Sequence, residues 1–169
     1  QIGSEMTRRA VQALVWALVG MVIYISLRFK FAYAVGAVAA LVHDVLVAAG
    51  VYCMLGRQID MTIIAALLTI IGFSVNDTIV IFDRIREKSK AFPNRSFLEI
   101  CNLSINETLA RTILTSTTVF LAVMMLLIFG GGAINNFAVL FVIGIITGTY
   151  STVFIATPVM MLVRREKKN

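Results

Sequence analysis

Hydrophobic residues in this chain come in long uninterrupted blocks, not in the one-face or alternating patterns of a soluble core. Apolar runs occupy residues 10–27, 31–55, 61–82, 111–129 and 137–163. Each is near or above the ~20 residues with which a helix crosses a bilayer core of ~30 Å. Short polar connections part them at 28–30 and 56–60, with a longer polar stretch at 83–95 and a glycine-rich link at 130–136. Ser96-Phe-Leu-Glu99 has capping-box spacing, so a helix is expected from Phe97. Over 97–109, Phe97, Ile100, Cys101, Ile105 and Leu109 form an apolar stripe away from Glu99, Asn102, Asn106 and Glu107. That is the pattern of a helix lying on a membrane surface. Gly36, Ala37 and Ala40 share a small-residue stripe in the second run, and Gly144 and Gly148 are spaced likewise in the fifth. The pattern predicts an all-α, polytopic membrane helix bundle. It would have about five transmembrane helices plus a short amphipathic interfacial helix, in a single transmembrane domain over residues 1–169.

Composition agrees and adds an orientation. The 169 residues are 59% hydrophobic and 14% charged, against about a quarter charged in soluble domains. The net charge of +6 comes from cations in the connections, which is a topological signal and not a nucleic-acid footprint. Alternate connections hold Arg28, Lys30, Arg84, Arg86, Lys88, Lys90, Arg95 and Arg111, together with Arg164, Arg165, Lys167 and Lys168 of the tail. The opposite side holds Arg8, Arg9 and Arg57. The richer side is cytoplasmic by the positive-inside rule, which leaves the N-terminus outside and the C-terminus in the cytoplasm. The chain opens on Gln1 without an initiator methionine or signal peptide and reads as a fragment. Cys53 and Cys101 fall toward opposite faces, so no disulfide is expected, and no metal spacing is present.

Ionisable residues inside apolar runs are costly and demand a reason. Asp77 lies about 7 to 8 Å inside the third run at 1.5 Å per residue. Arg111 enters the fourth run at matching depth, so an Asp77–Arg111 salt bridge is geometrically reasonable. Burial and an adjacent arginine act on a carboxylate in opposite senses. Such a group can change protonation as helices move, which is what a proton relay requires; a static lock between two helices is the alternative. His43 and Asp44 are further candidates for the relay. They lie about 18 to 20 Å from the cytoplasmic end of their run, too far along to meet Asp77 without tilt. Asn76 reads as interhelical glue on the face of Thr69, Gly72 and Asp83. Asp83, Arg84, Arg86 and Glu87 read as a structural network at the membrane surface. Thr112, Thr115, Ser116, Thr117 and Thr118 satisfy neighbouring carbonyls or wet one wall of the path. No nucleophile–base set, phosphate loop or metal box is present, so the chain is read as not an enzyme, with no cofactor.

The string from Gly72 to Glu87, with its Asn76-Asp77-Thr78 and Phe82-Asp83-Arg84-Ile85-Arg86-Glu87 elements, resembles the signature of the SecF family. That family is the smaller-subunit branch of the SecD/SecF export proteins, of the resistance-nodulation-division type. Tyr24-Ile-Ser-Leu-Arg-Phe29, Ala40-Leu-Val-His-Asp-Val45 and Asn106-Glu-Thr-Leu-Ala-Arg-Thr-Ile-Leu-Thr-Ser116 agree with it. The resemblance implies spans two to six of a SecF, without the first span and the periplasmic domain. It implies use of the proton-motive force to assist late steps of preprotein translocation, with Asp77 and Arg111 as relay positions. The implied partners are SecD, SecYEG, a YajC-type accessory protein and, indirectly, SecA. The preprotein itself would be met by the absent periplasmic domain, and the setting would be the bacterial inner membrane. Two other readings stand beside it. One is a structural scaffold in the Sec complex with Asp77–Arg111 as a fixed lock; the other is an unrelated small-molecule proton antiporter, which fits the physics but not the motifs.

Overall fold

A computed structural model describes residues 2–57 and 60–166. Its helices are α1 (Ile2–Arg28), α2 (Phe31–Met54), α3 (Met61–Ala91), α4 (Phe97–Phe129), α5 (Gly132–Ser151) and α6 (Thr157–Glu166), with a π-helical segment at Thr152–Ala156 joining the last two. Five helical stretches are long and apolar enough to cross a membrane, the fifth running through the π segment from Gly132 to Arg164. The ends are set by local chemistry. Asp60 caps α3 by accepting from the amides of Thr62 at 2.8 Å and Ile63 at 3.1 Å, and Ser96 caps α4 by accepting from Glu99 at 3.3 Å. Gly56, at φ 68°, turns the chain out of α2 where other residues are strained.

The separate surface helix expected at 97–109 is instead the first part of one unbroken α4 of 33 residues. No glycine or proline interrupts 97–129, and Ile100, Ser104, Thr108, Thr112 and Ser116 are buried four residues apart, so one packing stripe runs through the expected break. Leu109, expected on the apolar stripe, is exposed, because the buried stripe follows these smaller side chains. α3 likewise continues past Phe82 to Ala91. The π segment precedes Pro158, which has no N–H to give Phe154 and whose ring crowds that carbonyl. Widening the turn absorbs the mismatch, and Thr157 Oγ1 donates to the Thr152 carbonyl at 3.3 Å.

The bundle core is two apolar clusters at different depths. One, toward the charged end, holds Ile25, Phe29, Tyr33, Phe82, Ile85 and Met160, with the Tyr33 ring set edge-on to Phe82 at 5.2 Å. The other holds Tyr52, Ile63, Ile70, Leu140 and Phe141. A buried polar layer of Asp44, Ser74, Thr78, Ser151 and Thr152 lies between them. α3 packs on α5, α2, α4 and α1, whereas α1 leaves Trp16, Ile23 and Leu27 exposed. Glycines set the closest approaches. A Cβ on Gly36 would meet the Ala156 carbonyl oxygen, and one on Gly144 would meet Ile70.

Gly36→Val should therefore cost about 1–3 kcal/mol through overpacking, read as a lower Tm in detergent. Gly20→Ala, where a Cβ meets nothing, should leave Tm unchanged or slightly higher.

Candidate functional site

Two buried carboxylates stand a helical turn apart in level, and their neighbours treat them differently. Asp44, on α2, is fully buried. Its Oδ2 accepts from Ser74 Oγ of α3 at 2.5 Å and from Ser151 Oγ at the end of α5 at 2.8 Å. Its Oδ1 lies 3.2 Å from His43 Nδ1, and His43 Nε2 lies 2.9 Å from the Tyr150 hydroxyl. The neutral imidazole with its proton on Nδ1 satisfies both contacts, donating to Asp44 and accepting from Tyr150. Gly148 makes room for this, since a Cβ there would stand 3.3 Å from Ser74 Cβ and 3.7 Å from Asp44 Oδ2. Thr78 Oγ1 donates to the Ser74 carbonyl at 3.0 Å and lies 3.5 Å from Thr152 Oγ1, which carries the polar layer into the π segment.

Asp77, 9% exposed, faces the other way. Its Oδ1 accepts from Thr112 Oγ1 of α4 at 2.8 Å, while Oδ2 is buried and takes no hydrogen bond among the described residues. The Asp77–Arg111 ion pair expected from depth is not formed among the described residues, and Arg111 is exposed. Depth alone does not fix the facing residue. Thr112 follows Arg111 by about 100° around the helix and sits on the buried stripe. The depth estimate for Asp44 also needs correcting. Asp44 pairs with Ser74, three positions from Asp77, so helix crossing brings the two carboxylates closer in level than helix ends imply. No run of hydrogen bonds among the described residues joins them.

The other polar expectations divide. Asn76 is exposed and makes no interhelical hydrogen bond among the described residues; it shares an open face of α3 with the exposed Thr69 and Gly72. It is not interhelical glue within this chain. Further along α3, Arg84 bonds Glu87 at 2.6 Å and Glu107 of α4 at 2.6 Å through Nε, and Lys88 reaches Glu107 at 2.7 Å. Asp83 pairs with Arg28 of α1 at 3.4 Å. Arg86 does not join this network and turns toward a neighbouring cavity. Sequence reasoning did not single out Ser74, Ser151 or Tyr150. The available signal was that Asp44 and Ser151 each lie near the middle of an apolar run, so a buried acid and a hydroxyl share a depth. Cys53 and Cys101 are both free, and no group of metal-ligating side chains is found among the described residues.

These features define a multi-span helical membrane protein built around a layer of buried acids and hydroxyls. The chain belongs to the SecD/SecF C-terminal family: residues 1–166 match the family described as "Protein export membrane protein SecD/SecF, C-terminal". It is 48% identical over 170 residues to a protein translocase subunit SecF of Calditerrivibrio nitroreducens, covering 99% of this chain and 56% of that protein. It is 45% identical over 161 residues to the SecF of Koribacter versatilis, covering 95% and 40%. The chain thus spans about half the length of these relatives. Among solved structures it superposes on SecDF in its super-membrane-facing form with TM-score 0.91 at 39% identity, covering 98% of this chain and 23% of that one. It fits equally well, at 39% identity, on SecDF from Thermus thermophilus, a translocon-associated membrane protein, over 94% of this chain and 22% of that one.

Removing both hydroxyls with Ser74→Ala and Ser151→Ala would leave Asp44 Oδ2 buried without donors. The expected loss is about 1–3 kcal/mol for each unmet group, read by thermal unfolding; Thr69→Ala, on the open face, should cost far less.

Proposed function

We propose that this chain is the membrane part of a SecF-type subunit that serves protein export by passing protons through Asp77. The observation that carries this is the half-held carboxylate: Thr112 fixes one oxygen, and the other is enclosed yet takes no hydrogen bond among the described residues. A proton arriving at Oδ2 breaks no intramolecular hydrogen bond to be accepted. Arg111 stands one residue from Thr112 on the helix that faces Asp77. A part turn of α4 exchanges a neutral hydroxyl for a guanidinium opposite the acid, which gives two packings of α3 against α4 whose balance a proton shifts. The magnitudes match, since one proton moving down the gradient supplies about 2.3 kcal/mol for each 100 mV, comparable with the ~1–3 kcal/mol at stake in a buried polar contact.

Asp44 enters this reading as an anchor, and His43 with it, because both oxygens of Asp44 are already engaged. The open polar face of Thr69, Gly72 and Asn76 supports a second membrane bundle packed against α3, since an amide facing lipid is costly. A SecD-type partner fits there, as the SecDF architecture of the similar structures suggests. The wider machinery of SecYEG, SecA, a YajC-type protein and the preprotein would engage through parts beyond this chain. The family likeness supports a bacterial inner membrane as the setting, and the charge asymmetry supports a cytoplasmic cation-rich end. The scaffold reading has one observation in its favour, the Arg84 and Lys88 contacts to Glu107 that clamp α3 to α4.

Asp77→Asn in the full-length protein with its partner should abolish stimulation of preprotein export by a proton gradient, while complex yield and Tm stay near wild type. Unchanged export would refute the relay, and parallel loss of export and complex stability would favour the scaffold.

A further inference from the structure

The charged end of the bundle holds a cavity that neither carboxylate uses. Its volume is about 460 Å³, and among the described residues five cationic side chains border it: Arg28, Lys30, Arg86, Lys90 and Arg164. Phe29 and Tyr33, 6% and 5% exposed, close its inner side. Among the described side chains no carboxylate lines it. The nearby acids Asp83 and Glu87 border an adjoining cleft and are paired with Arg28 and Arg84. Lys30, Arg86 and Lys90 make no ion pair among the described residues.

Topology alone asks for cations somewhere in the connections. It does not ask for cations from α1, the α1–α2 link, α3 and α6 to converge on one concavity, where they repel each other. An anion removes that repulsion. The depth says which kind. Arg28 ends the first candidate span and Arg164 the last, so the mouth lies at the edge of the hydrocarbon. α3 continues outward from Asp83, which is level with Arg28, placing Arg86 about 4.5 Å and Lys90 about 10 Å further along. A headgroup layer is roughly 5 to 8 Å deep on each side, so Arg86 lies inside it and the Lys90 backbone just outside it, from where the long side chain reaches back. Ile23 and Leu27 are exposed on α1 just before Arg28 and offer an apolar track leading to the cavity.

We propose that this cavity binds the phosphate of an anionic phospholipid headgroup, with the acyl chains along α1. Basic pockets between membrane helices on the cytoplasmic side are suited to such headgroups. The site is independent of how Asp77 acts.

The test uses the full-length protein purified with its membrane partner, with retained lipid counted by native mass spectrometry after titration with phosphatidylglycerol or phosphatidylethanolamine. Phosphatidylglycerol should be retained preferentially. Lys90→Gln should weaken it about fivefold and the triple variant Lys30→Gln, Arg86→Gln, Lys90→Gln about a hundredfold, at about a factor of five per cation. Arg95→Gln, a cation on the same side that does not line the cavity, should change nothing. Thermal unfolding in phosphatidylethanolamine alone checks that the variants are folded, and Lys90→Gln is the reading if the triple variant is not. Equal retention of the two lipids, or wild-type retention by folded variants, would overturn the proposal. Displacement of phosphatidylglycerol by inorganic phosphate alone would also overturn it, by making the cavity a free-phosphate site.

Discussion

A carboxylate placed mid-bundle in a membrane protein must find donors on other helices, and Asp44 finds them on two. Ser74 and Ser151 both give their hydroxyl hydrogens to Oδ2, which ties α2 to α3 and to the end of α5. That demand explains nearby features that look unrelated in sequence. Gly148 lacks a side chain where one would press on Ser74. The π segment follows directly after Ser151, and Thr152 meets Thr78 there. Two apolar clusters, above and below, keep the layer enclosed.

Asp77 differs by being incompletely answered. Its neighbours supply one hydroxyl where those of Asp44 supply two and an imidazole. In a low-dielectric interior a fully satisfied polar network rigidifies the core, and an unpaired buried polar atom is costly. Asp44 thus ties helices together, whereas Asp77 Oδ2 is left without a hydrogen bond among the described residues. The Arg84 and Lys88 contacts to Glu107 lie further along the same helix pair and limit how far α3 and α4 can part. A partly exposed network of this kind contributes modestly, so it restrains α4 without freezing it.

Much of this was legible in sequence because the strongest signals are long and repetitive. Apolar runs located the five membrane-crossing helices, the Ser96 cap fixed the start of α4, and small residues marked the tight helix contacts. The motif from Gly72 to Glu87 pointed to the family. What sequence could not fix was rotation and register. Arg111 and Thr112 are adjacent and equally deep, and only the packed stripe of α4 decides which faces Asp77. Asn76 and Asp77 show the same ambiguity on α3. The pairing of Asp44 with Ser74 depends on helix crossing, which shifts relative depth by more than a turn from the value counted from helix ends. The break drawn between an interfacial helix and a span at 109–111 followed polarity, whereas the backbone followed continuous packing through Thr108 and Thr112.

On the proposed function, Asp77 exchanges a proton while Asp44 does not. Infrared difference spectroscopy on the reconstituted full-length complex tests it most directly, by recording the carboxylic-acid carbonyl band as a pH step is applied across the membrane. The expected result is a band that responds in wild type, disappears in Asp77→Asn and persists in Asp44→Asn. A responding band that survives Asp77→Asn and is lost with Asp44→Asn would contradict it.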